Sequence, residues 1–423
     1  MSNIAMISMH TCPLACPEAL LGGRETGGLN VYVRELSREL GKMGHRVDVF
    51  TRFQDEQTAQ IEEIGENARV VHLEAGPRAS YDKNRLPMHV EEFVEGIEEF
   101  ADAEGIKYDV IHSHYWVSGL VARQLQERWD VPFVQMFHTL GELKNSVAKA
   151  VGDMEVAARV VGEGSVMRWA DRLVAATPLE REHMVCLYGA EPARIKVIPA
   201  GVDTNLFYPR DREAVRNLLG LPGDDTPILL FVGRIERLKG IDTLLESVAV
   251  VSRYCSGRDL KVLIVGGGGQ TSDENAELRR VIELHRDLNL EDQVEFVGSK
   301  PQEMLPLYYS AADVTIMPSH YESFGLVAVE SMASGTPVIA SNVGGLSFTV
   351  VDGETGFLVE QENHFQLAER VHTLLKNPEL RERMGEQANV HAQQYSWENI
   401  ASRVAEVYES ALKERNRSQI ART

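Results

Sequence analysis

Short apolar runs rich in β-branched residues recur along nearly the whole chain, and the stretches between them carry the period of amphipathic helices. In the first half the runs are residues 4–9, 47–51, 70–73, 110–114, 133–138, 173–177 and 195–200. In the second half they are 228–233, 262–266, 294–298, 314–318, 338–341 and 356–359. Apolar runs of this kind, alternating with helices, predict buried strands in parallel doubly wound sheets. Thirteen strands are more than one sheet holds comfortably, so an α/β protein with two sheets is expected. Residues 30–43 predict a helix with Val31, Val33, Leu36, Leu40 and Met43 on one face. Residues 397–413 predict another, with Ile400, Val404, Val407, Tyr408 and Leu412 on one side. The domain break is expected after Asp203, giving 1–203 and 204–403. The last helix, 404–423, either caps the second domain or crosses back to the first. Periodicity leaves both open, and the charged end, 413–423, is expected to fray.

Length adds to this picture, because 423 residues are long for one core. Charge adds a constraint. With 43 Lys and Arg against 63 Asp and Glu, the net charge is −20, which argues against nucleic acid or an anionic membrane as partner. Anionic substrates would need cations gathered in one place. Cys12, Cys16, Cys186 and Cys255 are too few for a disulfide scaffold and lack a second pair at zinc-ligand spacing. A reduced, cytoplasmic protein without structural metal is therefore expected. No apolar run approaches a membrane span, and the first residues lack the features of a secretory leader.

The most informative stretch runs from Ser319 to Glu330. It follows the strand 314–318 and leads into a helix over 328–333, with Gly325 at the junction. A helix starting there offers free backbone N–H groups and the positive end of its dipole to an anion. Glu322 in the loop and Glu330 in the helix suit the hydroxyls of a sugar and a ribose, although two solvated glutamates would give the same pattern. Residues 22–30 form a glycine-rich loop after the first strand, where open α/β sheets bind ligands. It is neither a Walker loop nor a dinucleotide fingerprint. Gly233, after the strand 228–233, is followed by Arg234 and Lys239, spaced so that both could meet a diphosphate. A second glycine run, 266–269, allows another close backbone approach. His112, His114 and His138 follow strands in the first half, as metal ligands, catalytic groups or sugar hydrogen-bonders, metal being least favoured. Lys83, Lys144 and Arg159 form an anion site if they converge and are surface charges if they do not.

Taken together, Gly233-x5-Lys239-Gly240, Glu322-Ser323-Phe324-Gly325-Leu326 with Glu330, residues 333–340 and Gly344-Gly345 resemble the retaining GT-B glycosyltransferases of family 4. With Gly27-Gly28-x-Asn30 at the front, the resemblance covers essentially the whole chain. Within that family the segments 7–14, 112–119 and 138–145 look most similar to the inositol 3-phosphate glycosyltransferases, with sucrose-phosphate synthases next. Sucrose-phosphate synthases usually carry Gln at Leu29 and Ser at Thr139; both differences lean toward the inositol-phosphate type, where Met is more usual at Leu29.

The resemblance implies two Rossmann-like domains facing across a cleft. It implies that Arg234 and Lys239 hold the donor diphosphate, Glu330 the ribose and Glu322 the transferring sugar. Ser323, Phe324, Gly325 and Leu326 would supply backbone amides, the main chain near Val297 and Lys300 would face the base, and Gly28 would approach the diphosphate. Gly233 would underlie it, and His138 would touch the sugar. Lys83, Tyr115, Thr139 and Arg159 would grip the acceptor's phosphate, with Lys144 beside them and Asn30 facing its ring. The implied activity is a hexosyl transfer, of glucose or N-acetylglucosamine, from a UDP-sugar to a soluble phosphorylated acceptor such as inositol 3-phosphate. No cofactor is implied, the UDP-sugar being a substrate; a homodimer is left open. The alternatives are sucrose-phosphate synthesis from UDP- or ADP-glucose and fructose 6-phosphate, and, from another class, a nucleotide-sugar epimerase. A sugar-binding protein and a lipid glycosyltransferase are less favoured. The chain has no Asp-x-Asp triplet of the kind that holds a divalent ion on a diphosphate.

Overall fold

Each of the thirteen apolar runs is a strand in the computed structural model, which describes residues 1–14, 28–79, 81–148, 154–223, 225–254, 260–267 and 272–420. The first eight strands are β1 (Asn3–Ile7), β2 (Arg46–Arg52), β3 (Ile61–Gly65), β4 (Ala68–Leu73), β5 (Val110–His114), β6 (Phe133–Met136), β7 (Arg172–Ala175) and β8 (Ile195–Val197). They form one sheet in the order β3-β4-β2-β1-β5-β6-β7-β8. All neighbours are parallel except β3, which runs antiparallel to β4. The second sheet is wholly parallel and contains β9 (Ile228–Val232), β10 (Lys261–Val265), β11 (Val294–Gly298), β12 (Val314–Met317), β13 (Val338–Ser341) and β14 (Gly356–Val359). Its order is β11-β10-β9-β12-β13-β14. In both sheets the winding reverses beside the first strand, between β1 and β5 and between β9 and β12. Such switch points leave a crevice beyond the carboxyl ends of the strands, where ligands of open α/β sheets bind.

Of the described residues, 1–14, 28–200 and 397–420 form one compact unit, and Gly201–Ser396 form the other. The first unit's core gathers Phe50, Phe93, Ile97, Ile111, Val121 and Phe133, all without solvent exposure. The second is built on Leu229, Leu244, Val262, Ile264, Ile316 and Val371, equally buried.

Three expectations about elements need correction. The fourteenth strand, β3, has the sequence Ile61-Glu62-Glu63-Ile64-Gly65 and buries only Ile64. As a solvated edge strand it has no apolar run to betray it. The first helix spans Gly28–Lys42 and buries Tyr32, Val33, Leu36, Ser37, Leu40 and Gly41. Val31 is only partly buried and Met43 is exposed, so the buried face is rotated from the one drawn through the bulkiest residues. Small residues turn it: a Cβ on Gly41 would lie 2.0 Å from the Glu66 carbonyl oxygen, and Ser37 Oγ reaches Met6 Sδ at 3.1 Å. Finally, the terminal helix runs Trp397–Ile420, so most of the segment expected to fray is helical. Leu412 is only partly buried. Ion pairs of Glu414 with Arg172 and of Arg415 with Asp130 anchor its last turns on the first unit.

Candidate active site

At the switch point of the second sheet, the strand ends close together. A Cβ on Gly266, just past β10, would lie 1.8 Å from the Gly233 carbonyl oxygen, so only glycine fits there. Lys239 ends the short turn Arg237–Lys239, and its Nζ lies 2.6 Å from Glu322 Oε2. The loop carrying Glu322 is held from both sides. The His320 N–H donates to the Leu238 carbonyl at 2.8 Å, and the Gly345 N–H donates to the Glu322 carbonyl at 2.8 Å. Thr349 Oγ1 donates to the Phe324 carbonyl at 2.7 Å. Gly344 fits because a Cβ there would sit 2.0 Å from the Glu322 oxygen. Gly325 then takes φ +95° and opens the helix Leu326–Ala333, which no side chain caps. That turn's N–H groups and dipole are what an anion would use.

Glu330 is buried on the same helix and accepts a hydrogen bond from Tyr309 Oη at 2.8 Å. Burial pushes its carboxyl up to about 7, against the opposing hydrogen bonds of Tyr309 and Gln302. Gln302 stands two residues past Lys300, in the turn that follows the partly buried edge strand β11 with Val297. Phe324 is buried, with its ring tilted against Tyr395 at 5.8 Å, while Ser323 and Leu326 are partly exposed beside it. Lys239, Glu322, Ser323, Phe324 and Gly325 are thus brought together. Arg234 is not joined to them; its side chain is half-exposed and ion-paired with Glu236 at 2.6 Å.

At the switch point of the first sheet, Thr11 Oγ1, after β1, donates to Asn30 Oδ1 at 2.7 Å. Tyr115 and His138 follow β5 and β6 with φ of +72° and +64°. Such backbone on bulky residues costs about 1–3 kcal/mol and concentrates at functional sites. His138 Nε2 lies 2.9 Å from His114 Nδ1, with the Tyr32 ring edge-on at 5.1 Å. His112 Nδ1 lies 2.7 Å from Tyr408 Oη of the terminal helix, and His10 stacks on Tyr115 at 4.2 Å. Burial lowers His10, His112 and His138 to about 3 and His114 well below its usual value. All four imidazoles are therefore neutral near pH 7 and act as hydrogen-bonding rather than charged groups.

The three cations converge. Lys83 Nζ, Lys144 Nζ and Arg159 Nη1 lie 3.2, 3.1 and 2.7 Å from one oxygen of Glu155. Arg159 is buried; its Nε donates to Glu163 at 2.8 Å and its Nη2 to the Thr139 carbonyl and Oγ1 at 2.8 and 2.9 Å. Its guanidinium lies 4.9 Å from the Tyr115 ring centre. Burial alone would raise the Glu155 carboxyl, but Arg159, Lys83 and Lys144 together pull it down to about 2. Glu155 and Glu163 were not foreseen, although each stands four residues from Arg159, the spacing at which helical charges pair. Tyr309 and Gln302 carry no sequence signal toward Glu330. Gly28 opens its helix and is exposed; the rest of the 22–27 loop, Gly268, Gly269, Cys16 and Cys255 lie outside the described residues. Among the described residues, no cluster of His, Cys, Asp and Glu could hold a metal ion, and no helix is long and apolar enough to cross a membrane.

Two family models match the chain: a glycosyl transferase 4-like domain over residues 27–201 and glycosyl transferases group 1 over residues 212–391. A D-inositol 3-phosphate glycosyltransferase of Acidothermus cellulolyticus is 42% identical over 98% of this chain and 91% of its own. One of Corynebacterium diphtheriae is 40% identical over 97% and 95%. Among solved structures, a sucrose-phosphate synthase from Thermosynechococcus elongatus superposes with a TM-score of 0.87 at 36% identity, covering 98% of this chain and all of the other. Anabaena HepE in complex with UDP and glucose has a TM-score of 0.75 at 20% identity, over 97% of this chain and all of that one, a likeness of fold alone.

Proposed function

The chain belongs to the family of group 1 and 4-like glycosyl transferases, and from that premise we propose that it moves a hexosyl group from a UDP-sugar to inositol 3-phosphate. N-acetylglucosamine is the preferred sugar in this reading and glucose the alternative. The fold is GT-B and the activity is hexosyl transfer, which removes the epimerase reading.

One observation carries the choice of a phosphorylated acceptor. In a chain of net charge −20, Lys83, Lys144 and Arg159 meet at one point, beside Tyr115 and Thr139, at the switch point of the first sheet. Such a set suits a phosphate dianion. Asn30, held by Thr11, would face the acceptor's ring. The likeness to D-inositol 3-phosphate glycosyltransferases over nearly the whole chain supports inositol 3-phosphate above fructose 6-phosphate.

On the donor side, Lys239 and Arg234, above Gly233, would stabilise the departing diphosphate, together with the amides of Ser323, Phe324, Gly325 and Leu326. Arg234 would have to turn from Glu236 to do so. Glu330 would bind the ribose, Glu322 the sugar hydroxyls, and the backbone near Val297 and Lys300 the base. Neutral His138 would hydrogen-bond the sugar near the reacting carbon. Retention of configuration would follow from attack on the face the diphosphate leaves, a phosphate oxygen accepting the acceptor's proton, so no side chain is assigned as general base. No cofactor is assigned, and the cytoplasm is the compartment that suits such substrates.

The test is a matrix of UDP-N-acetylglucosamine, UDP-glucose and ADP-glucose against inositol 3-phosphate and fructose 6-phosphate, read by nucleoside diphosphate release. Release with UDP-N-acetylglucosamine and inositol 3-phosphate at least tenfold faster than any other pair is expected (about 1.4 kcal/mol in the barrier). A faster reaction with fructose 6-phosphate would overturn the acceptor assignment.

A further inference from the structure

The carboxylate at the centre of the three cations has an unusual set of neighbours. Among the described residues, every side chain paired with the Glu155 carboxylate is a cation: Lys83, Lys144 and Arg159. Its side chain is 9% exposed, and its own backbone N–H donates to Asn145 Oδ1 at 2.7 Å. Glu163, the other acid on Arg159, is of a different kind. It is wholly buried and fixed by the Gly141 N–H at 2.9 Å and by the Tyr188 hydroxyl as well as by Arg159. Glu163 is a support, and Glu155 is a counter-ion.

Counting charge separates two roles for Glu155. Glu163 balances Arg159, leaving Lys83 and Lys144 against Glu155, a residue of one positive charge. A phosphate monoester brings roughly −1.5 to −2 at neutral pH. If Glu155 stayed, three anionic groups would crowd three cations, and two of them would share the same donors. If Glu155 leaves, the two lysines match the dianion. On the buried guanidinium, Glu155 also stands where the phosphate would have to bind. Arg159 already spends Nε on Glu163 and Nη2 on Thr139, so its remaining direction, Nη1, is the one that Glu155 occupies.

We propose that Glu155 is an internal stand-in for the acceptor's phosphate: it keeps Lys83, Lys144 and Arg159 assembled when the site is empty and is exchanged for the phosphate when the acceptor binds. This rests on the reading of the cation cluster as the phosphate site. It makes Glu155 a specificity-determining residue. An acceptor without a phosphate has no anion with which to displace the carboxylate, whereas a phosphate ester exchanges one anion for another and loses little by doing so. The carboxylate thus weakens phosphate binding by competing for the same cations, and it holds those cations closed to any ligand that would displace it without supplying an anion of its own.

The experiment is calorimetric titration of inorganic phosphate into the full-length protein, its Glu155→Gln and Glu155→Ala variants, and Lys83→Ala, with thermal melting to confirm that each is folded. Both Glu155 variants should bind phosphate at least about tenfold more tightly than the parent, because a competing unit charge is gone. Lys83→Ala should bind it at least about tenfold more weakly. If Lys83→Ala weakens phosphate and the Glu155 variants bind it equally or less well than the parent, Glu155 is a fixed part of the site and the inference is overturned, the phosphate site standing. If Lys83→Ala leaves phosphate binding unchanged, or no form binds phosphate, the phosphate reading fails and the inference with it.

Discussion

Lys239 and Glu330 can each be tested by one substitution, because each has a partner that fixes what the substitution removes. Lys239 is paired with Glu322 at 2.6 Å and is partly exposed, so the pair contributes only about 1 kcal/mol to stability. Its proposed work is on the leaving diphosphate, where loss of one fixed charge costs on the order of 3 kcal/mol, or about a hundredfold in turnover. Lys239→Ala should therefore lose kcat by about that factor with a nearly unchanged melting temperature; wild-type turnover in the folded variant would remove Lys239 from the donor site. Glu330 gives a prediction with a pH signature. Its carboxyl titrates at about 7 in the folded protein, because of burial, against an ordinary value of 4.5. Between those values the native state holds a proton that the unfolded chain has released, so this group's contribution to stability falls as pH rises from 4.5 to 7, by roughly 3 kcal/mol. Glu330→Gln keeps the acceptor for Tyr309 and removes the titration. It should melt higher than the parent at pH 8, match it near pH 4.5, and bind UDP less well. Equal differences at both pH values would show that burial of the charge is not the cause. What was legible at this scale was motif-borne: Lys239, Glu322, Gly325 and Glu330 stand within short, recognisable spacings. Tyr309, Gln302 and Glu155 are not legible, since the first two reach Glu330 only through the packing of a neighbouring helix, and Glu155 meets Lys83 across 72 residues.

Among the elements, the loop from Ser319 to Gly325 depends on its neighbours' backbones more than on its own side chains. Gly344 and Gly353 separate conformational strain from close approach. Both have positive φ, +48° and +79°, but a Cβ on Gly344 would sit 2.0 Å from the Glu322 carbonyl oxygen, while one on Gly353 meets nothing within 4 Å. Gly353→Ala should cost only the left-handed backbone, about 1 kcal/mol. Gly344→Ala should cost about 3 kcal/mol, since the loop has to move, and should weaken UDP binding as well. Urea midpoints and UDP titration of the two variants check this; equal effects would mean that the loop's position does not depend on Gly344. Elements were read correctly wherever an apolar run survived, through burial on both faces in β9, β10, β12 and β13 and through Phe296-Val297 and Phe357-Leu358-Val359 in the partly buried edge strands β11 and β14. β3 was missed because an edge strand with Glu62 and Glu63 looks like a turn, and the first helix was rotated because Ser37 and Gly41 are buried by closeness rather than by hydrophobicity.

For the whole molecule, the chain's route matters more than its composition. The described residues 397–420 belong with the first unit although Gly201–Ser396, just before them, form the second, so the first unit is completed only by the last segment of the chain. That helix buries Trp397, Ile400, Val404, Val407 and Tyr408, and Tyr408 is the hydrogen-bond partner of His112 at 2.7 Å. Trp397 meets the Tyr32 ring edge-on at 5.4 Å, and Tyr32 in turn packs against His138. Burying five such side chains contributes about 1.5–3 kcal/mol each, a sum comparable with the entire stability of a domain. A chain ending at residue 396 should therefore lose cooperative unfolding of the first unit while Gly201–Ser396 stays folded. Hydrogen exchange resolves the two: protection should vanish from β1, β5 and β6 and persist in β9, β10 and β12. Retained protection in β1 and β5 would mean that the first sheet's core suffices without the helix. The milder change Tyr408→Phe should leave the fold intact and leave buried His112 Nδ1 without its partner, at a cost of about 1–3 kcal/mol. The same helix thus supplies both the missing core of the first unit and one end of the imidazole network behind His138. For that reason, loss of the C-terminal segment should abolish acceptor binding even though none of its residues is assigned to the acceptor.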